Sequence, residues 1–268
     1  MKNTILLLYL ATCAVVIFSC APKPFSASNK TYKQKAKTFA NTLKQKPETN
    51  GMPWIGTTNF NMRKPNFVVL HHTAQANCNA TLNTFTNEKT QVSAHYVICK
   101  EGMVHQMLGN YLRGWHAGAA KWGSSTDLNS TSIGIELDND GTAVYTEVQI
   151  NALLQLLAQL KKEFTIPTAN FIGHGDIAPG RKVDPGANFP WQKLAASGYG
   201  LWYADTTNLS VPQNFSVNDA LRIIGYDVSN ANAALGAFRR HFLASNSGTN
   251  PVSEPEKKVL FAVMKQYY

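Results

Sequence analysis

The chain has 268 residues, enough for one well-buried enzyme core plus a small accessory unit, and 44% hydrophobic with 15% charged content excludes wholesale disorder. Its formal net charge of +9 does not mark a nucleic-acid binder, because the charge is confined to one end. Lys2 and residues 21–64, with nine basic residues against Glu48 alone, carry it, whereas the 15 basic and 15 acidic residues of 65–268 cancel.

The first twenty residues read as an export signal. Lys2 precedes an apolar run from Ile5 to Phe18 that is too short for a stable membrane span. The run ends in Ile17-Phe18-Ser19-Cys20, which resembles a bacterial lipoprotein cleavage site. On that resemblance residues 1–20 form a lipoprotein signal peptide, and Cys20 becomes the lipidated first residue of a protein tied to a membrane. Cys13 leaves with the signal, so Cys78 and Cys99 remain, an even pair in an oxidising compartment. A disulfide and two separate thiols are both open. Residues 21–53 are polar and lysine-rich, and read as a tether with room for one helical stretch.

From Asn66 the pattern is α/β. Phe67-Val68-Val69-Leu70 is a buried-strand run that ends on His71-His72-Thr73. Thr81 to Lys89 has helical character, His95 to Cys99 reads as a strand, and Gly102 turns into a hairpin partner at Met103–Met107. Ser132 to Leu137 is another strand. Over 147–164, Ile150, Leu153, Leu154, Leu157, Leu160 and Phe164 recur at helical spacing on one face. Asn170-Phe171-Ile172 is a last strand, followed by a Gly/Pro-rich loop through Gly186 and a short helix opened by Pro190-Trp191. After a Trp/Tyr/Asn-rich linker near 199–214 come three helical stretches, Val217–Ile224, Ala231–Leu243 and Glu254–Gln266.

The loop 173–186, Gly-His-Gly-Asp-Ile-Ala-Pro-Gly-Arg-Lys-Val-Asp-Pro-Gly, gathers one His, two Asp, one Arg and one Lys where a strand gives out. His174 and Asp184 can face one pocket, and His71 ends the first strand. Two imidazoles and a carboxylate with an open fourth position make the ligand set of a catalytic zinc. The three lie far apart in sequence, so ordinary loop or core roles for these histidines stay open on spacing alone.

Five segments then resemble, in order, the type 2 N-acetylmuramoyl-L-alanine amidase family, above all its outer-membrane lipoprotein members. They are Phe67–Ala74, Ser93-Ala94-His95-Tyr96, Trp115-His116-Ala117-Gly118, Thr131–Glu136 and His174–Gly186. The likeness covers roughly residues 54–205. It implies a mixed, twisted β-sheet flanked by helices, a zinc cofactor, and hydrolysis of the bond between muramic acid and L-alanine in peptidoglycan and muropeptides. Carried over by position, it makes His71, His174 and Asp184 the zinc ligands, Glu136 the catalytic glutamate and Lys182 the oxyanion partner. His116, Tyr96 and Arg181 are expected on the substrate side. His72 is read as supporting the site, His95 as a core histidine and Asp176 as shaping the loop. The position of a catalytic tyrosine in the phage-type branch is occupied by Ala94, so proton transfer rests on Glu136.

Residues 214–268, with Asp219–Tyr226 and Ala237–Phe242, resemble the three-helix peptidoglycan-binding domain of the same lipoproteins. A helical cap that only buries apolar surface is the other reading of this segment. The resemblance places the chain in the cell envelope, lipid-anchored to the outer membrane and facing the periplasm. The competing functional reading is a non-catalytic peptidoglycan-binding envelope lipoprotein, and retention of the three ligands with Glu136 and Lys182 argues against it.

Overall fold

The computed structural model describes residues 23–45, 53, 55–59, 61–62, 64–246 and 250–267. The signal peptide, the expected lipidation site Cys20 and the start of the catalytic segment at Trp54 lie outside them. The chain divides into two compact units, Met1–Trp54 and Ile55–Tyr268. Within the first, α1 (Ser26–Lys44) realises the helical stretch expected in the tether, with no buried residue and no acid in its first turn. No helix among the described residues is long and apolar enough to cross a membrane.

The second unit is built on a five-stranded mixed sheet. Its strands are β1 (Phe67–His72), β2 (Tyr96–Ile98), β3 (Val104–Gln106), β4 (Ser132–Leu137) and β5 (Phe171–Gly173), in the order β3-β2-β4-β1-β5. Only the β2–β3 hairpin is antiparallel. The parallel strands are nearly continuous apolar runs because helices cover both faces of the sheet. Residues of odd and even number go to opposite sides. Val68 and Leu70 of β1, with Ile133, Ile135 and Leu137 of β4, pack under α4 (Glu147–Phe164). Val69 and Ile172 join a second apolar cluster on the other face, and the same alternation aims His71 and Glu136 to that side. These two residues are register partners in the parallel β1–β4 pair.

Helix α4 has the bounds that its apolar spacing predicts. Thr146 caps it by accepting from the Gln149 amide, Glu147 stands in the first turn, and Lys161 and Lys162 stand in the last, where each charge complements the helix dipole. Ile150, Leu153, Leu157 and Leu160 are buried, each contributing about 1.5–3 kcal/mol relative to an exposed side chain. Leu154, expected on the same face, is only partly covered, and Gln149 is fully buried instead. Its amide donates to Ile98 O and Asp138 O, which ties the helix to the ends of β2 and β4. A Cys78–Cys99 disulfide joins the start of α2 (Cys78–Thr86) to the end of β2.

The remaining helices are α3 (Leu128–Thr131), α5 (His174–Ile177), α6 (Trp191–Ala196), α7 (Val217–Ile224), α8 (Ala231–Phe242) and α9 (Glu254–Met264). The first two stand where sequence patterning predicts none. Asp127 caps α3 through the Ser130 amide, and the Asp176 carboxylate captures the Gly173 amide to close α5, a helical turn at the head of the expected loop. Helices α7 to α9 do not stand apart from the sheet. Leu221, Ile224, Phe238, Phe242 and Leu260 share one apolar cluster with Val69, Ile172 and Ile177.

Candidate metal and catalytic site

Three side chains converge beyond the carboxyl ends of β1 and β5. His71 Nδ1, His174 Nδ1 and Asp184 Oδ2 lie 3.0 Å from one another, an equilateral triangle of buried donor atoms. Their outer contacts fix what these atoms offer. His174 Nε2 donates to Ala117 O at 3.0 Å, so that nitrogen carries the proton and a neutral ring leaves Nδ1 bare. The Ser132 hydroxyl donates to Leu128 O and therefore accepts from His116 Nε2 at 3.3 Å. His116 Nδ1 is then bare and accepts from His71 Nε2 at 3.1 Å, which leaves His71 Nδ1 bare as well.

Burial lowers the His71 pKa to about 4, helped by the neighbouring His174, and burial with the nearby His71 lowers His116 well below its ordinary value. Both rings are thus neutral near pH 7. Two lone pairs and a carboxylate oxygen pointed at one another repel. A proton bridges at most two of the three acceptors, whereas a cation meets all of them. The donor set of two imidazoles and a carboxylate suits zinc, whose tetrahedral ligand spacing with bonds of roughly 2.0–2.1 Å is about 3.3 Å, close to that observed.

The loop that carries His174 and Asp184 is pinned from several sides. The Gly175 amide donates to Asp184 O at 2.7 Å, and the Tyr145 hydroxyl donates to Pro185 O at 2.6 Å. Tyr145 is a site-building residue that no sequence pattern singled out; burial and the nearby Asp184 and Glu136 raise its pKa and keep it a donor.

Glu136 stands beside His71 on β4, with Oε2 buried and without a hydrogen-bond partner. Burial and the Asp184 charge raise its pKa well above the ordinary value, opposed by Lys182. The Lys182 ammonium is therefore within electrostatic reach of Glu136 and His71. His95 is the satisfied core histidine expected, accepting the Gly134 amide at Nδ1 and donating from Nε2 to Leu112 O.

Of the substrate-side expectations, Tyr96 needs correction. Tyr96 does not face the site: it pairs in register with Ile135, packs in the cluster under α4, and donates to Asn110 Oδ1. Its neighbour Val97, paired with Glu136, takes the site-facing phase of β2. His116 is bound to the outer nitrogen of His71, so its ring backs a candidate ligand rather than standing free in a groove. The Arg181 guanidinium donates to Ala117 O and Ala119 O, bracing the Trp115–Ala119 loop, which commits that nitrogen away from a substrate carboxylate. The other metal-like cluster among the described residues, Cys78, Cys99 and His105, has its sulfurs tied in the disulfide and offers no thiolate.

Against known proteins, a sequence model of the family described as N-acetylmuramoyl-L-alanine amidase matches residues 61–187. The chain is 38% identical over 151 residues to the N-acetylmuramoyl-L-alanine amidase AmiD of Escherichia coli (strain K12), covering 50% of this chain and 54% of AmiD. It is 37% identical over 106 residues to the 1,6-anhydro-N-acetylmuramyl-L-alanine amidase AmpD of Citrobacter freundii, covering 40% and 57%. The match thus spans little more than half the length of these curated relatives. A solved E. coli AmiD, in complex with the substrate anhydro-N-acetylmuramic acid-L-Ala-D-gamma-Glu-L-Lys, superposes with a TM-score of 0.69 at 28% identity, over 82% of this chain and 97% of that one. AmpDh3 of Pseudomonas aeruginosa superposes with a TM-score of 0.69 at 30% identity, over 83% and 99%.

Proposed function

The chain belongs to the type 2 N-acetylmuramoyl-L-alanine amidase family, and from that premise we propose that it is a zinc-dependent hydrolase of the amide between the muramic acid lactyl group and L-alanine. The observation that carries this reading is the triangle of two imidazole nitrogens and one carboxylate oxygen beside a buried glutamate. His71, His174 and Asp184 would hold the metal. Bound zinc supplies a lowered pKa for coordinated water, towards ~7, and polarisation of the scissile carbonyl.

Glu136 takes the proton from the attacking water and returns it to the departing amine of L-alanine. A carboxyl raised by burial suits both halves of that task, since it is a stronger base than an exposed glutamate and then a usable acid. Lys182 balances the negative charge that develops on the carbonyl oxygen. The substrate complex of E. coli AmiD contains a muropeptide, which supports muropeptides and peptidoglycan as the substrate class here.

The cell envelope is the proposed location, with Cys20 acylated. A single acyl chain anchors only marginally, and a basic segment adds a second attachment. Helix α1 supports this: residues 26–44 hold five lysines and no acid, and Tyr32, Phe39 and Leu43 are exposed. Helices α7 to α9 are proposed to contribute to peptidoglycan binding, a reading supported by the resemblance of residues 214–268.

Incubating the purified chain with muropeptides and following products by mass spectrometry tests the activity. Release of intact stem peptide, stopped by a chelator and restored by zinc, is expected. The absence of that product overturns the amidase reading, and release indifferent to chelation overturns the zinc.

A further inference from the structure

The C-terminal helices make more than apolar contact with the sheet. Asp176 sits two residues after His174 on the same helical turn, only 4% exposed. Its carboxylate accepts three hydrogen bonds. Gly173 N donates to Oδ2 at 2.8 Å, and the two other donors come from the C-terminal segment: the Tyr226 hydroxyl to Oδ1 at 2.9 Å and His241 Nδ1 to Oδ2 at 2.7 Å. Both partners are buried. Tyr226 packs edge-on against Trp122, and His241 stacks on Trp191 with ring centroids 3.9 Å apart and planes 13° from parallel. Burial and the adjacent Asp176 raise the Tyr226 pKa and keep its hydroxyl a donor.

We propose that Tyr226 and His241 act as positioning residues for the metal centre, gripping Asp176 and so fixing the turn that presents His174. The inference rests on reading His71, His174 and Asp184 as that centre. A helical cap needs only apolar contacts, which Ile172 and Ile177 already supply to Leu221 and Phe238. Two polar side chains converging on one buried carboxylate do something different: they decide where the carboxylate can be. With both removed, Asp176 keeps only the Gly173 amide, and a buried, under-bonded charge is expensive enough to turn outwards for water. His174 and Gly175 move with it, because all four residues of α5 form one turn. The segment resembling a peptidoglycan-binding domain would then be a working part of the metal site.

The test uses the full chain carrying Tyr226→Phe, His241→Phe, both together, or His241→Gln. Zinc affinity is read by chelator competition, and the cobalt-substituted protein is read by its visible absorption, with thermal melts with and without metal alongside. The paired substitution should weaken zinc binding about 10-fold, at the low end for support lying beyond the ligands. It should also change the cobalt spectrum and shrink the melting shift on metal addition. His241→Gln, whose amide can still donate to Oδ2, should recover most of the loss. A purely structural role would lower both melts equally and leave the spectrum alone. The paired variant folding cooperatively, with parental zinc affinity and spectrum, overturns the proposal. Should the pair fail to fold, Tyr226→Phe, lacking one hydroxyl, decides by the same readings. A parental chain that takes up no zinc overturns the metal centre and this proposal together, whereas equal binding by parent and variants overturns the proposal alone.

Discussion

Gly134→Ala should weaken metal binding without touching a ligand. Gly134 lies on the site face of β4, and a Cβ built there meets the His116 ring: 2.6 Å from Cδ2 and 2.7 Å from Nδ1, with Cγ nearer still. Ordinary contact begins at 3.4 Å, so the ring must move by about 0.8 Å or more. Displaced that far, it cannot keep both its 3.1 Å bond to His71 Nε2 and its 3.3 Å bond to Ser132 Oγ. His95 closes one path of retreat, with its ring centroid 5.8 Å from that of His116.

Overpacking of this kind costs about 1–3 kcal/mol in stability. Loss of the partner that holds a ligand's outer nitrogen typically costs ~10–100-fold in metal affinity. Chelator competition on the parent and the variant, with a melt of the metal-free protein to separate the two costs, measures both. A folded variant with parental zinc affinity would refute the argument that His116 orients His71.

His71→Ala, His174→Ala and Asp184→Ala should each abolish stoichiometric zinc in the purified protein, since three ligands leave none spare; full occupancy by elemental analysis would remove the altered residue from the set. Glu136→Ala should retain zinc while hydrolysis falls at least ~10²-fold, and Lys182→Ala should lose ~10²–10³-fold, mainly in kcat because the oxyanion charge exists only past the ground state. Near-normal turnover in either variant with zinc bound contradicts its assigned role. Cys20→Ser should leave an unprocessed precursor in cells, visible as a slower band on gels; normal maturation would show that Cys20 is not a lipidation site.

Regular elements were legible where one physical rule dominates. The 3.6-residue recurrence of apolar residues bounds α4, and α7 spans Val217–Ile224 as read. The proposed ligand set of His71, His174 and Asp184 was suggested by residue type and sharpened by the family resemblance, since His71 and Asp184 are 113 residues apart and no local spacing joins them. The phase of β2 was not legible. All three of its residues are buried, so no polar–apolar alternation tells Tyr96 from Val97, and the tyrosine was assigned to the wrong face. The grip on Asp176 was hidden for a different reason. Its partners lie 50 and 65 residues downstream, and one histidine or tyrosine on a helical segment gives no sign of reaching a buried carboxylate. The role of His116 depends likewise on the Trp115–Ala119 loop returning behind His71, which only the fold reveals.

The same strands build the core and the site, which constrains both. In β1, Val68 and Leu70 hold α4 while Val69 and His71 face the C-terminal helices and the His71–His174–Asp184 triangle; in β4, Ile133 and Ile135 belong to the first set and Gly134 and Glu136 to the second. A one-residue slip between β1 and β4 would set Glu136 opposite Leu70 or His72 and drive a carboxylate towards the apolar cluster under α4. That burial is far costlier than any single lost contact in the site. The packing of aliphatic residues against α4 therefore fixes the side-by-side placement of His71 and Glu136, and the proposed catalytic geometry inherits its precision from a core that would take no part in the chemistry.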